Sequence, residues 1–319
     1  MEAMLLNVVC ASVSSPKSTC SFKPSLNLLH NHQKNLRFLY LKSKANGYSH
    51  LQASSSFPIR YSKGQVDESQ SLSLENIRHS LIQQEDSIIF SLLLRAQYDY
   101  NADTYDPDAF PMKGFRVSMV EYIVRETEKL HAQMGRYKSL DEHPYFPEHL
   151  PKSMFPCLQH PQILHPCAGS ININKKIWDG YFRNLLPRLV KAGDDGNCGS
   201  AAVCDTMCLQ AMSRRIHYGK FVAEAKFLES PAEYEAAITK QDSRKLMEML
   251  TYESVEAAVK KRVEMKAKTF GQDIIINPQE EEAEPIYKVK PSLLVNLYGD
   301  WIMPLTKEVE VEYLLRRLD

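Results

Sequence analysis

Past the first 66 residues, the apolar positions of this chain recur at helical spacing almost everywhere. Ile77, Leu81, Ile88 and Leu92 share one face, which predicts a helix over residues 74–98. A second is predicted over 117–134, and then prolines at 144, 147, 151, 156, 161 and 166 turn residues 141–169 into a loop. Helical spacing resumes over 177–190, stops at the turn-rich run Gly193-Asp-Asp-Gly-Asn197, and restarts at Ser200 for one long helix to Phe227. Shorter helices fit 231–238, 243–250 and 254–269, and a last one fits 291–318. The acidic segment 279–285 reads as a mobile charged linker. Two-residue alternation is nowhere sustained, so the body is expected to be all-α. With no strand leading into a glycine-rich loop and no GxGxxG or P-loop pattern, nucleotide cofactors are not expected.

Composition changes this picture at one end. The 319 residues carry no formal net charge, yet residues 3–66 contain no Asp or Glu while Lys17, Lys23, Lys34, Arg37, Lys42, Lys44, Arg60 and Lys63 are basic. Acidic residues begin at Asp67 and Glu68. A serine-rich, basic, acid-free leader has the character of an organelle transit peptide, so the chain divides into a leader, 1–65, and a body, 66–319. The expected location is the plastid stroma. A disordered polyanion-binding tail is the alternative, and the acidic body weighs against nucleic acid. No apolar run reaches the ~18 residues that span a bilayer. Five body cysteines without a CxxC unit predict neither a disulfide framework nor a zinc site, although Cys204 and Cys208 stand four apart on a helix. The loop histidines His143, His149, His160 and His165 match no metal-binding spacing and read as solvated.

The candidate chemistry lies in Ser213–Phe227, SRRIHYGKFVAEAKF. On one straight helix Arg215 and Lys226 share a face about 16 Å apart. Gly219, Val222 and Ala223 stand between them, so the stripe reads as a groove with a cation at each end, suited to a ligand with two anionic groups. Thr306 and Glu310 form an i, i+4 pair near the C-terminus. Arg78 follows Ile77 beside the first apolar stripe, and Glu256 falls near the start of its helix. Charged helix residues are mostly solvated, and spacing alone does not bring four helices together.

These segments, with LENIRHSLIQQEDSIIF, SAAVCDTMCLQAMSRRIHYGK and PLTKEVEVEYLLRRLD, resemble the all-α chorismate mutases of plants and fungi over residues 66–319. The resemblance implies a helical homodimer that needs no cofactor and converts chorismate to prephenate by a one-step Claisen rearrangement. It also implies the roles of the site residues. Arg78 and Arg215 hold the two carboxylates in the folded conformer. Lys226 donates to the ether oxygen, where negative charge develops. Glu310 stands on the other side of that oxygen with Thr306 near it, and Glu256 takes the ring hydroxyl. Glu310 has to be protonated for this, so burial must outweigh the neighbouring cation. Tyr252 stands where fungal members have an active-site asparagine.

Regulated members bind an aromatic amino acid (Trp, Tyr or Phe) at the dimer interface. The matching positions are Asn197, Gly199, Ser200 and Val203 at the start of the long helix, with His131 and Arg136 facing them. Ordinary capping by Ser200 explains that residue equally well. A catalytically silent homologue is the remaining alternative, and the presence of Arg215, Lys226 and Glu310 counts against it.

Overall fold

The computed structural model describes residues 73–110, 116–148, 150–155, 163–273 and 285–319. The leader, most of the acidic linker, His149, His160 and Cys157 lie outside these residues.

Eleven α-helices carry the described chain: α1 Leu74–Arg95, α2 Met119–Gln133, α3 Asn174–Gly180, α4 Leu186–Leu189, α5 Cys198–His217, α6 Gly219–Glu229, α7 Pro231–Thr239, α8 Ser243–Leu250, α9 Glu253–Gly271, α10 Pro291–Leu297 and α11 Met303–Leu315. Local chemistry sets several starts. Ser73, Ser118 and Asp242 accept backbone N–H bonds at the N-termini of α1, α2 and α8, and prolines open α7 and α10. A two-residue antiparallel pair, Gln272–Asp273 with Ile286–Tyr287, brings together the two ends of the linker region.

Helix α5 is the central element. It packs against α1, α2, α3 and α11, while α11 also crosses α6 and α8. A fully buried ion pair, Arg95 with Asp205 at 2.7 Å, ties α1 to α5, and the Tyr105 and Tyr181 hydroxyls donate to the same carboxylate. Cys204 and Cys208 are free buried thiols on α5.

Two predicted helices are interrupted. Spans 177–190 and 291–318 each contain a π-helical turn, Tyr181–Leu185 and Tyr298–Ile302. The two turns lie together: a Cβ on Gly180 would come within 2.5 Å of the Trp301 ring, so the indole sits where only glycine leaves room. The proline-punctuated loop also contains a 3₁₀ turn at Pro166–Ser170.

The long helix predicted from Ser200 to Phe227 is likewise two helices. Tyr218 separates α5 from α6, and Phe221 N–H bonds the Tyr218 carbonyl at 3.0 Å, one residue short of α-helical reach. Tyr218 keeps helical dihedrals (φ −62°, ψ −15°), so the rod is locally tightened rather than turned aside. Nor is the small-residue stripe an open groove. A Cβ on Gly219 would stand 2.8 Å from the Thr306 carbonyl oxygen and 3.2 Å from Glu310 Cγ, so Gly219 is where α11 crosses the rod.

Gly→Ala inside a helix ordinarily stabilises by up to about 1 kcal/mol. Gly219→Ala is expected to do the opposite, by about 1–3 kcal/mol, because the added methyl displaces α11 backbone. Thermal melts would read this as a lowered midpoint, and a raised one would show that the crossing yields freely.

Candidate active site

Four of the six sequence-predicted site residues meet where α11 crosses the α5–α6 rod. Arg215 is 5% exposed, and its Nη1 donates to Thr306 Oγ1 at 3.3 Å. Thr306 can accept because its own proton goes to the Ile302 carbonyl at 2.7 Å. Burial pulls the Arg215 guanidinium down from its ordinary range, while Tyr298, Glu85 and Glu310 pull it back up. Arg215 Nε is buried without a partner among the described residues, as is the Tyr298 hydroxyl. An unpartnered buried donor is costly, and here it remains available to an incoming acceptor.

One turn along α11, Glu310 is 4% exposed and faces Lys226 Nζ at 3.5 Å. Lys226 also donates to the Leu250 carbonyl at 3.3 Å and lies 5.1 Å from the centre of the Tyr252 ring. A contact of 3.5 Å is at the outer limit of a hydrogen bond, so the pair is loosely held. Burial pushes the Glu310 carboxyl above its ordinary value, against the opposing pull of Lys226, Arg215 and Lys307. A buried protonatable acid beside a lysine can present two donors to one developing negative charge.

Glu256 enters from the first turn of α9, its Oε1 2.8 Å from Lys307 Nζ, and Lys307 also reaches Thr251 Oγ1 at 3.3 Å. The sequence reading missed Lys307. A usable signal existed, since Lys307 lies three residues before Glu310 on the same helix and so shares its side. Tyr252, at the position where fungal members have an asparagine, offers its ring face toward Lys226 and is 52% exposed. Arg78 is not joined to this cluster. It is exposed on α1 and has no partner among the described residues, although Ile77 beside it packs with Tyr218 and Ala225 from the rod.

The six positions expected to bind an effector do not meet within one chain. Asn197, Gly199, Ser200 and Val203 are exposed at the start of α5, where Asn197 makes no side-chain cap bond. His131 and Arg136 bond each other at 3.0 Å, and Arg136 donates to Gln210 at 3.2 Å. Gln210 is ten residues beyond Ser200, about 15 Å along the helix. His143, expected to be solvated, is half-buried against Lys220, and His165 accepts from the Cys167 N–H.

Among the described residues no group of His, Cys, Asp and Glu could hold a metal ion, and no helix is long and apolar enough to cross a membrane. The family description "Chorismate mutase type II" matches residues 198–311, which span the rod and most of α11. The chain is 64% identical over 303 residues to chloroplastic chorismate mutase 3 of Arabidopsis thaliana, covering 93% of this chain and 96% of that one. It is 58% identical to chloroplastic chorismate mutase 1 of Petunia hybrida over the full length of both. Its fold matches a crystal structure of AtCM1 with phenylalanine bound in the allosteric site, at a TM-score of 0.73 and 66% identity over 79% of this chain and 99% of that one. A structure of AtCM1 with tyrosine in the allosteric site matches at 0.72, with the same identity and coverage. The chain therefore belongs to the chorismate mutase family, in its plant chloroplastic branch.

Proposed function

We propose that this enzyme rearranges chorismate to prephenate in the cleft between the α5–α6 rod and α11, with division of labour between the two rod cations. The observation that carries this reading is the convergence of buried Arg215, Thr306 and Glu310 and half-buried Lys226 from three helices. Arg215, buried and with a free Nε donor, holds a substrate carboxylate, and Arg78 closes on the second from α1. Fixing both carboxylates selects the folded conformer and removes much of the entropic part of the barrier. Lys226 meets the ether oxygen as its C–O bond breaks, and protonated Glu310 donates to the same oxygen. Thr306 orients Arg215. Glu256 accepts from the ring hydroxyl, held in place by Lys307.

Regulation extends this proposal. Phenylalanine and tyrosine occupy an allosteric site in the AtCM1 structures, and here the six positions proposed for an effector lie in two separated groups on one chain. A second copy, presenting its α2 to this α5, would bring the groups together. Leu130 and Met134 near one group, and Val203 and Met207 near the other, are exposed apolar residues of the kind a homodimer covers. The first turn of α5 then offers its N–H groups to the amino acid carboxylate. Saturation curves with added Trp, Tyr and Phe are expected to shift, and Arg136→Ala is expected to remove the shift. Superimposable parent curves with all three amino acids would overturn the regulatory reading.

A further inference from the structure

The rod has a second polar stripe, opposite the one that meets α11. Ser213, His217, Lys220 and Glu224 recur at i, i+4, i+7 and i+11, and each is 2% exposed or less. On the wheel they lie roughly 140–200° from Arg215, whereas Lys226 lies within about 20° of it. Buried polar groups need partners, and these find them in the loop between α2 and α3, at the first residue of α3 and at the end of α11. Ser213 Oγ donates to Asn174 Oδ1 at 2.6 Å, and Ile173 N–H donates to His217 Nε2 at 3.0 Å. Lys220 Nζ donates to the Ala168 carbonyl at 3.0 Å and to His143 Nε2 at 2.5 Å. His165 N–H donates to the Tyr313 hydroxyl, which donates to Glu224, and Arg317 holds that same carboxylate at 2.7 Å. Loop positions thus fall from 174 to 165 as rod positions rise from 213 to 224. The loop is laid antiparallel along the back of the rod and spans the break at Tyr218.

Lys220 is the one lysine of the stripe, and it has no carboxylate within ion-pair distance among the described residues. Burial pushes it down to about 7, while Asp141 and Cys167 from the loop and Glu312 from α11 pull it up. The other titratable groups facing it are His143 and His217, which burial holds neutral. Keeping an ammonium here is unfavourable for stability alone. Its location explains it better: Lys220 is two residues past the break and bonds the loop that spans it.

We propose that Lys220 is a positioning residue that splints the α5–α6 joint to the Ala168 and His143 loop, and so holds Lys226 against Glu310 while Arg215 stays fixed in α5. The inference rests on the catalytic role proposed for Lys226, but its mechanical half does not.

The test compares Lys220→Met, which keeps the volume and removes the hydrogen bonds, with Lys226→Met and the double variant. Lys220→Met is expected to lower kcat about tenfold with KM changed less than about threefold, because only the α6 end of the site moves. Its kcat–pH profile should shift upward, since withdrawing Lys226 removes the main pull lowering the Glu310 carboxyl. In the double variant the Lys220 change should cost almost nothing further. Hydrogen exchange of amides 218–222 should accelerate in Lys220→Met whatever Lys226 does in catalysis. An unmoved profile with unaltered exchange would overturn the splint, as would fully additive losses. Full turnover in Lys226→Met would instead overturn the site assignment. If Lys220→Met does not fold, His143→Leu in the same cycle removes one of the two anchors because it leaves no acceptor, with the same direction of change expected and the same results counting against it.

Discussion

Lys226→Met is expected to lower kcat about 100- to 1000-fold, or about 3–4 kcal/mol in the barrier, with KM within about threefold of the parent. The ether oxygen of chorismate is nearly neutral in the ground state and gains charge only as its bond to carbon breaks. A donor aimed there binds the transition state far better than the substrate, and its loss is felt in turnover. Lys226 suits the role because its tie to Glu310 is long, at 3.5 Å, and costs little to release. Arg215 should behave differently. In the role proposed for it, Arg215 meets a carboxylate that is charged throughout, so truncating it should raise KM as well as lower kcat. Loss of chorismate absorbance with the purified mature enzyme measures both. A Lys226 variant that changed KM alone would place the lysine on a ground-state group instead.

Glu310→Gln is expected to reverse the order of activities across pH. In the role proposed for it, Glu310 helps only while protonated, because an ionised carboxylate would repel the developing oxyanion. Burial raises its carboxyl and delays ionisation, with Lys226, Arg215 and Lys307 opposing. Parent kcat should therefore fall about tenfold per pH unit once the pH passes that raised value, while the amide, which cannot ionise, stays flat. The variant is slower at low pH and faster at high pH, and the two curves cross. Stability should follow with the same sign. The folded parent binds the Glu310 proton more tightly than the unfolded chain, so it loses stability as pH rises from the ordinary value of 4.5 toward the raised one. Melts of Glu310→Gln should lack that slope. Equal loss of kcat at every pH would mean that the carboxyl acts in its ionised form.

Much of the protein is legible in the helical period. Of the predicted face Ile77, Leu81, Ile88 and Leu92, three residues are at most 2% exposed and Leu81 is half-buried at its edge. The 243–250 helix ends where the spacing ends, since Asp242 caps it and Thr251 leaves it. The residues proposed for the site are legible only through the resemblance of long segments that carry them together. What spacing does not encode is where a periodic segment tightens. Tyr218 and the two π turns keep helical dihedrals at their borders and leave apolar periodicity almost intact, so no local signal marks them.

The chain by itself determined an all-α body, the acid-free leader and the identity of the residues that carry charge, because each of these follows from local propensity and composition. Only the tertiary structure decided how they act. It showed that Gly219 is a helix crossing rather than the floor of a groove. It paired Glu256 with Lys307 and left Arg78 exposed on its helix. It buried Lys220 behind the rod against His143. The physical reason is that burial, and with it the cost of a charge and the value of a hydrogen bond, depends on neighbours distant in sequence, such as Thr306 for Gly219 and Ala168 for Lys220.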